Sequence, residues 1–391
     1  MIPRAAHDIA LRLARGFPIL ALTGPRQSGK TTLARALFPR HAYVSLEDPE
    51  HRDFADTDPR GFLARFDHGA VIDEAQNCPD LFSYIQGLVD ERRRMGEFIL
   101  TGSQNFGLVS RITQSLAGRV GLLQLLPFST RELKDVRLLP ENLDELMFHG
   151  FYPPLYDRPL TPETWFPNYV TTYLERDVRQ LLAVRDLMLF QRFLKLCAAR
   201  TGQLLNLSAL ANDCGISHVT AREWLTVLEA SYILVLLQPY HRNFGKRLVK
   251  RPKLYFLDTG LAAWLLGIRD AQTLNTHAQR GALFETLVVS EFVKSRFNSG
   301  QPADLYFWRD NTGHEVDLLF EQEGKLQAIE IKSGATFVSD WLRAARKWRF
   351  FAAEDALPPQ IIYGGTQSYI RDGVQVLGWQ TLSTGNRVVR I

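Results

Sequence analysis

A glycine-rich segment near the start of the chain constrains the fold more than any other feature. Residues 19–32 read ILALTGPRQSGKTT, in which Gly24 to Thr31 complete the pattern G-x-x-x-x-G-K-[ST]. The apolar run Ile19 to Leu22 precedes this loop as a buried parallel strand would, and the helix-compatible segment TTLARALF follows it. The sequence therefore predicts a strand, a phosphate-binding loop and a helix in this order.

Each part of the loop has a predicted task in binding a metal-bound nucleotide. The two glycines let the backbone curl so that amides from Arg26 to Lys30 point at phosphate oxygens, and the helix adds its positive end. Lys30 is predicted to reach the β- and γ-phosphates of ATP, and the Thr31 hydroxyl to hold Mg²⁺.

Two adjacent acids follow a second apolar run, AVIDEA. Asp73 is predicted to hold Mg²⁺ through water, and Glu74 to orient and deprotonate the attacking water. The residues predicted to contact the nucleotide or its metal are Gly24, Pro25, Arg26, Gln27, Ser28, Gly29, Lys30, Thr31, Thr32 and Asp73.

Two further residues are candidates for catalysis. Ser103 ends the run EFILTGS and is predicted to contact the γ-phosphate or the attacking water. Arg119, in SLAGRV, is predicted to act as an arginine finger to the nucleotide of a neighbouring subunit. The competing residues are Gln104 and Asn105 for the first role, and Arg111 and Arg176 for the second.

The spacing of short apolar runs predicts the fold class. FPILALTG, AYVSLED, GAVIDEA, EFILTGS and GRVGLLQLL are separated by helix-length segments, which indicates an α/β fold with a parallel sheet covered by helices on both faces. One strand candidate, Ala42–Leu46, lies in the sequence between the loop strand and the Asp73 strand. This order resembles that of ATPases with an added catalytic glutamate, including the AAA+ group.

Composition limits the remaining choices. The 391 residues suffice for two or three domains, and 46% hydrophobic with 23% charged residues is an ordinary soluble balance. No apolar run reaches the roughly 18 residues of a membrane span, and the N-terminal residues lack the features of a signal peptide. The three cysteines are far apart, which argues against zinc and predicts reduced thiols in a cytoplasmic protein.

Proline-rich punctuation predicts the domain boundaries. Phe151–Glu163 carries four prolines and is expected to form an irregular hinge rather than regular helix. We therefore predict a phosphate-loop ATPase domain over residues 1–150 and a hinge with a linker helix over 151–186. A winged helix is expected over 187–257, and a nuclease-like domain over 258–391.

The winged-helix prediction rests on three helix-length segments, a turn at Gly215, and a strand that returns as a hairpin. This hairpin, which forms the wing, carries six cations with no intervening acid. Their positive charge would let the wing lie along DNA phosphates. The six cations are Arg242, Lys246, Arg247, Lys250, Arg251 and Lys253. Winged helices also serve as protein–protein spacers, so base reading by the third helix stays open.

A second group of polar residues lies in the last third of the chain. Twelve residues separate Asp317 from Glu330-Ile331-Lys332, and Glu330 and Lys332 share one face of an extended strand. Glu285 lies on a helix upstream. This arrangement resembles the PD-(D/E)xK nuclease core, a restriction-endonuclease-like α/β domain. The resemblance implies that Glu285, Asp317 and Glu330 bind metal and that Lys332 orients the nucleophile.

Over almost the whole chain, the sequence resembles a bacterial and archaeal AAA+ family with an N-terminal phosphate-loop ATPase and a C-terminal region of unknown function. The segments that carry this resemblance are GPRQSGKTT, VIDEAQ, ILTGSQ, LAGRV, YLERDV, PKLYFLDTGLAAWLLG, RGALFETLVVSE, FWRDNTGHEVDLLF and AIEIKSG. It implies Mg·ATP hydrolysis coupled to DNA binding or processing, with a core similar to that of Holliday-junction resolvases.

An alternative function and the question of assembly stay open at this point. The chain could be a nucleotide-controlled switch or scaffold, in which the C-terminal region binds protein partners and cuts nothing. No helical lid with a second sensor arginine is visible before the proline-rich segment, so it stays open whether the chain assembles into a homo-oligomeric ring.

Overall fold

The structure is a computed structural model, and it describes residues 2–103, 115–174, 186–240 and 249–389. The chain forms two compact units. The first unit comprises Met1–Phe128, Ala230–Tyr232 and Arg296–Pro302. The second unit comprises Ser129–Glu229, Ile233–Ser295 and Ala303–Ile391. The predicted division into an ATPase, a hinge, a winged helix and a nuclease-like domain stays a prediction.

The first unit is built on a five-stranded sheet in the order β2-β3-β4-β1-β5. All neighbouring strands are parallel. The strands are β1 Ile19–Thr23, β2 Ala42–Ser45, β3 Ala70–Asp73, β4 Phe98–Gly102 and β5 Val120–Gln124. The helices are His7–Gly16, Lys30–Leu37, Pro49–Thr57, Pro59–Ala64 and Leu81–Arg92, with a 3₁₀ turn at Ala75–Asn77.

Both faces of this sheet are covered. Ile19 and Ala21 of β1 belong to one apolar cluster, and Leu20 and Leu22 belong to another. Successive side chains of a strand point to opposite faces, so the two clusters lie on opposite sides of the sheet. The predicted parallel sheet covered on both faces is confirmed for this unit. β1, flanked by β4 and β5, is buried throughout and leads into the glycine-rich loop.

The second unit contains a sheet of nine strands in the order β13-β14-β12-β11-β10-β9-β7-β8-β6. The strands are β6 Gln203–Leu204, β7 Leu234–Pro239, β8 Lys253–Phe256, β9 Tyr306–Arg309, β10 Glu315–Gln322, β11 Lys325–Lys332, β12 Gln360–Tyr363, β13 Tyr369–Arg371 and β14 Val374–Gly378. β9, β10 and β11 pair antiparallel, whereas β11, β12 and β14 pair parallel.

Helices surround this sheet along the remaining chain. They are Thr130–Asp135, Leu143–His149, Pro154–Asp157, Pro162–Tyr169, Leu187–Ala198, Leu207–Cys214, His218–Ala230, Thr259–Leu265, Ala271–Thr276, Arg280–Asn298 and Trp341–Ala352. A π-helical segment covers Val170–Leu174, and 3₁₀ segments cover Ala353–Asp355 and Trp379–Val389. None of the helices in the described residues is long and apolar enough to cross a membrane.

The proline-rich segment Phe151–Glu163 is not irregular throughout, which corrects the sequence-based expectation. Pro154 and Pro162 lie in the first turns of two short helices. Proline is tolerated in the first turn because the N–H it lacks has no partner within the helix there, and its fixed φ angle suits the helix. The prolines of this segment therefore mark helix starts as well as breaks.

Three helices and an antiparallel three-strand group follow. Gly215 ends the helix Leu207–Cys214 in the left-handed region, with φ of 81°. Ser217 then accepts a hydrogen bond from the backbone N–H of Thr220 at the start of the next helix, at 3.0 Å. β8 lies between β6 and β7 and pairs antiparallel with both. As the central strand of this group, it is buried over its whole length.

Candidate functional site

The glycine-rich loop joins β1 to the next helix with a backbone that requires glycine. Gly24 has φ of 149°, and a Cβ atom there would lie 2.1 Å from the carbonyl oxygen of Leu125. Gly29 precedes the helix with φ of 91°. The Oγ of Ser28 is buried and has no hydrogen-bond partner among the described residues. A close backbone approach with an unsatisfied donor beside a helix start fits a phosphate group.

Lys30 is held over this loop. Its side chain is almost fully buried, and Nζ donates to the carbonyl oxygens of Gly24 at 3.0 Å and Pro25 at 2.8 Å. Phosphate oxygens carry a full negative charge, so they can replace these carbonyl oxygens as acceptors for the ammonium group. The position of Lys30 therefore fits its predicted contact with the nucleotide phosphates.

Asp73 accepts hydrogen bonds from three hydroxyl groups. Thr31 Oγ1 donates to Oδ1 at 3.0 Å, Tyr43 donates to Oδ2 at 2.9 Å, and Thr101 donates to Oδ1. Burial and the charge of Asp73 together raise the pKa of Tyr43 to about 12, so the phenol keeps its proton. Oxygen ligands of this kind are those that Mg²⁺ prefers, so Thr31 and Asp73 fit the predicted metal.

Tyr43 and Thr101 were not predicted from the sequence. They lie on β2 and β4, the two strands that flank β3 in the sheet. A search at the ends of the strands neighbouring a carboxylate-bearing strand could have found Thr101, which lies two residues before Ser103. Tyr43 has no such signal, because it lies within β2 and reaches Asp73 through a long side chain.

Glu74 follows Asp73 at the end of β3, with a left-handed backbone at φ of 53°. Its Oε2 accepts hydrogen bonds from Ser103 Oγ at 3.1 Å and from the Gln76 side-chain amide. Ser103 is 1% exposed, so its hydroxyl is fixed on this carboxylate. The structure thus brings Ser103 to Glu74, while its contact with the γ-phosphate or water stays a prediction. Gln104 and Asn105 lie outside the described residues.

Arg119 is engaged within its own chain. Its guanidinium forms a bidentate pair with Asp90, with Nε–Oδ1 at 2.6 Å and Nη2–Oδ2 at 2.7 Å. The hydrogen bond from Arg119 lowers the pKa of Asp90. The arginine-finger role stays a prediction, and release from Asp90 would have to accompany it. Arg111 and Arg176 lie outside the described residues.

Arg4 supports the loop from the other side and was missed in the sequence. Nη1 donates to the carbonyl of Ser28 and Nη2 to that of Leu126, each at 2.6 Å. The guanidinium carbon lies 4.9 Å from the ring centre of Phe128. Arg4 therefore joins the nucleotide loop to the segment after β5, and no motif surrounds it that could have shown this.

A second cluster of polar residues lies in the second unit. Asp317 on β10 accepts a hydrogen bond from the backbone N–H of Ile331 at 2.8 Å. Lys332 Nζ donates to Glu330 Oε1 at 2.6 Å, as expected for two residues on one face of β11. Glu285 lies on the helix Arg280–Asn298 and accepts from the Tyr255 hydroxyl.

Lys253 corrects the wing prediction. It lies on β8, is 3% exposed, and belongs to the carboxylate cluster rather than to a surface wing. Its Nζ lies 2.9 Å from Glu285 Oε1 and 3.9 Å from Asp317 Oδ1, and it also pairs with Glu315. The physical reason is strand pairing, since β8 is central between β6 and β7 and buries every residue.

The remaining wing residues divide into two groups. Arg242, Lys246 and Arg247 lie outside the described residues. Lys250 and Arg251 are exposed, so they are available for contact with a partner.

Burial shifts the acids of the cluster toward their neutral forms. Burial, with the charge of Asp317 adding to it, raises the pKa of Glu285 to about 7 and that of Glu330 to about 8. Burial lowers the pKa of Lys253, but the charges of Glu285, Asp317 and Glu315 outweigh it, and the net shift is upward. Lys253 therefore stays an ammonium ion among carboxyl groups that ionise reluctantly.

The predicted metal site overlaps this cluster. Among the residues that the structure describes, no group of three or more His, Cys, Asp or Glu side chains is arranged to hold one. Lys253 supplies the positive charge between Glu285, Asp317 and Glu315 instead. The assignment of Glu285, Asp317 and Glu330 as metal ligands, which the resemblance implies, stays a prediction.

Comparison with protein families agrees with the first site. The AAA domain matches residues 16–134, and two domains of unknown function, DUF8612 and DUF4143, match residues 140–272 and 280–382. Together with the parallel sheet and the glycine-rich loop, the AAA match defines an AAA-type, nucleotide-binding ATPase.

Two mycobacterial proteins identify the family. The uncharacterized proteins Mb2031c of Mycobacterium bovis and Rv2008c of Mycobacterium tuberculosis are each 34% identical to this chain over 337 residues. The alignment covers 84% of this chain and 74% of each relative. The chain belongs to the same family as these two proteins.

Solved structures give weaker similarities. The Walker-type ATPase PABY2304 of Pyrococcus abyssi aligns with a TM-score of 0.42 and 16% identity, over 68% of this chain and 96% of its own. AMPPCP-bound DnaA from Aquifex aeolicus aligns with a TM-score of 0.31 and 13% identity, over 57% of this chain and 85% of its own. At these TM-scores, neither similarity by itself assigns a fold or an activity to this chain.

The hydrogen bond from Ser103 to Glu74 leads to a kinetic prediction. Ser103→Ala removes the donor that fixes the Glu74 carboxylate, so we expect kcat for ATP to fall about tenfold, equivalent to about 1.4 kcal/mol, with KM unchanged. Steady-state ATP turnover measures both constants. Ser83→Ala, on an exposed position of the helix Leu81–Arg92, is the matched control. A raised KM with unchanged kcat would place Ser103 on the nucleotide instead.

The Lys253 network leads to a prediction about stability and pH. Lys253→Met leaves buried carboxylates without their cation, so we expect a loss of about 3–5 kcal/mol in the free energy of unfolding at pH 8. The loss should shrink toward pH 5, because Glu285, a partner of Lys253 with its pKa raised to about 7, becomes neutral there. Urea unfolding across this pH range measures it, with exposed Lys250→Met as the control.

The unmodified chain should itself show the sign of this linkage. Because the folded pKa values of both glutamates lie above the ordinary value of 4.5, the folded state binds more protons, and these groups lower stability as pH rises from about 4.5 to about 8. Glu330→Gln should therefore flatten the pH dependence over that window. An unchanged slope would contradict the assigned burial.

Proposed function

We propose that the protein is a Mg²⁺-dependent ATPase that couples ATP binding and hydrolysis to DNA binding. The observation that carries the proposal is the contact of Thr31 with Asp73 at 3.0 Å beside Glu74, which lies at the end of the same strand. This contact joins the phosphate loop to a carboxylate pair suited to activating water. A nucleotide-binding loop alone would not require the second acid.

The roles of the residues follow from their positions. Thr31 and Asp73 would hold Mg²⁺, which supplies positive charge to the phosphate oxygens when bound. Lys30 stabilises charge on the same oxygens through its ammonium group. Glu74 takes a proton from the attacking water, with its carboxylate oriented by Ser103 and Gln76.

The DNA-binding part of the proposal rests on the second unit. Three helices with a glycine turn, followed by antiparallel strands, support a winged-helix arrangement over residues 187–257. Exposed Lys250 and Arg251 would contact phosphates beside it. Homo-oligomer formation through Arg119 belongs to this proposal. So does a cytoplasmic location, supported by the three free, buried cysteines.

For the C-terminal core, one observation favours binding without cleavage. Metal-dependent hydrolysis of a phosphodiester needs carboxylate oxygens that are free to hold a cation. Here the ammonium group of Lys253 pairs with Glu285 and Glu315 and lies near Asp317. We therefore propose that the nuclease-like fold serves as a binding platform. A nucleotide-controlled scaffold for protein partners is the alternative that shares this core.

The ATPase assignment predicts two distinct defects. Lys30→Ala should abolish detectable ATP turnover and weaken nucleotide binding, because it removes the charge held over the loop. Glu74→Gln should retain nucleotide binding and lower turnover by about 10²–10⁴-fold, because the amide cannot accept the proton of water. Turnover and fluorescent-nucleotide binding measure the two effects. Exposed Glu91→Gln is the control.

The coupling of ATP hydrolysis to DNA binding is measured in the same turnover assay by adding linear, forked or four-way DNA. The unmodified chain should turn over ATP faster with DNA, and Glu74→Gln should not respond. Normal turnover in Lys30→Ala or Glu74→Gln would remove the assigned roles. Absence of any DNA effect or binding would favour the protein scaffold.

The platform assignment predicts no metal-dependent cutting. Duplex, forked and four-way DNA incubated with the unmodified chain and Mg²⁺ or Mn²⁺ should stay intact on a denaturing gel. Asp317→Ala provides the matched comparison, since it removes the central acid of the cluster. Cleavage by the unmodified chain that disappears in Asp317→Ala would restore the nuclease assignment.

A further inference from the structure

The helix Trp341–Ala352 separates apolar and basic residues onto two faces. Leu342, Ala345 and Trp348 are buried, at 2%, 4% and 1% exposure, and hold the helix on the sheet. Arg343, Arg346, Lys347 and Phe350 recur at helical spacing on the other side. We call these four residues the basic face.

The basic face is open to solvent. The side chains of Arg343 and Arg346 are 73% and 60% exposed. Phe350 is 82% exposed, the most exposed of the large apolar side chains in the described part of the chain. The twelve residues of this helix include four cations and no acid. The ring of Phe350 lies beside that of Phe351, with ring centres 6.0 Å apart, and its exposed side is available to a partner.

The acids that touch the basic face are few. Arg343 pairs with Asp340 one turn before it, and Arg346 Nη2 lies 2.6 Å from Asp372 Oδ2. Lys347 Nζ lies 2.7 Å from His314 Nε2, and the other ring nitrogen of His314 lies 2.9 Å from Asp310 Oδ2. Exposed ion pairs of this kind contribute about 0–1 kcal/mol, so a polyanion can displace them.

A cavity adjoins the basic face and leads to the carboxylate cluster. It has a volume of about 500 Å³, and its lining includes Arg343 and Lys347 from the basic face and Glu330 and Lys332 from the cluster. Trp308 also lines it, and the buried indole N–H of Trp308 has no hydrogen-bond partner among the described residues. Glu315 and Asp340 also line it, so the cavity offers space beside side chains of both charges.

The exposed ring of Phe350 decides which strand form suits the basic face. At about 1.5 Å of rise per residue, Arg343 and Phe350 lie about 10 Å apart along the helix. Successive phosphates of one strand advance about 3.4 Å along a duplex axis, so a few phosphates fit this length whether or not the strand is paired. An exposed ring among such cations can stack on an unpaired base, which a duplex does not offer.

We propose that the basic face binds single-stranded DNA, with phosphates on Arg343, Arg346 and Lys347 and an unpaired base stacked on Phe350. This inference rests on the proposed DNA-binding function and names the surface and the strand form. A membrane surface is disfavoured, because the apolar side of the helix is already buried in the core and only one aromatic ring is left to insert.

The test uses the full chain and a fluorescently labelled oligothymidine of about 16 nucleotides, the upper site size of a single-strand-binding fold. Fluorescence anisotropy is recorded across a salt series, beside a duplex of equal length. Phe350→Ala should weaken oligothymidine binding by about 5- to 150-fold, the value of one stacked base, and leave the salt slope and duplex binding unchanged. Arg346→Gln should reduce the slope by about 0.7.

Controls separate the ways in which this can fail. Ile370→Ala, at another exposed apolar position outside the basic face, should bind as the unmodified chain does. ATP turnover without DNA should be unchanged in Phe350→Ala, which shows that the variant is folded. If the unmodified chain binds neither DNA form, the proposed function itself fails.

Two outcomes would overturn only the inference about the basic face. The first is oligothymidine binding that Phe350→Ala and Arg346→Gln leave unchanged. The second concerns polyglutamate, added as an acidic polymer without bases. In this outcome Arg346→Gln weakens the binding of oligothymidine and of polyglutamate equally, and Phe350→Ala changes neither. The second result would show that the surface recognises charge alone and suits an acidic protein.

Discussion

The hydrogen bond between Thr31 and Asp73 joins two segments that are 42 residues apart in the chain and organises the nucleotide site. It can form because β1 and β3 are parallel and both flank β4, so their carboxyl ends open on one edge of the sheet. Thr101 and Tyr43 approach the same carboxylate from β4 and β2. All three partners are neutral donors, so they orient the Asp73 carboxylate without placing a positive charge beside it. A carboxylate held in this way is prepared for a cation.

The second carboxylate cluster is stabilised by the opposite means. Lys253 places a full positive charge between Glu285, Asp317 and Glu315. An ammonium group neutralises its partners as well as orienting them, and it occupies the region in which a shared ion would lie. The two clusters use the same kind of side chain and differ in whether their partners are neutral or charged. That difference, rather than the acids themselves, is the reason that we propose a metal ion at the first site and a binding platform at the second.

The sequence predicted correctly those parts of the fold that depend on short local patterns. The loop from Gly24 to Thr31 and the alternating strands fixed the first sheet, because each signal lies within one short segment. Lys253 was misassigned because a run of cations reads as a surface loop, whereas its burial depends on β8 pairing with β6 and β7. The contacts of Tyr43 and Arg4 were missed for the same reason, since their partners are distant in sequence and chosen by the sheet. Proline at 154 and 162 was read as a helix breaker, although its effect depends on its place within the helix.

The arrangement of charge in the second unit makes a coherent argument for binding without cutting. A net charge of +4 is too small to indicate a nucleic-acid partner, but it conceals a separation of charge. The acids of the cluster are buried and paired, while Arg343 and Arg346 are exposed on the basic face. A strand that follows these cations into the adjoining cavity would meet Lys332 beside Glu330, whose raised pKa favours its neutral form. Glu315 and Asp340 also line this cavity, and each is paired with a cation, Glu315 with Lys253 and Arg309 and Asp340 with Arg343.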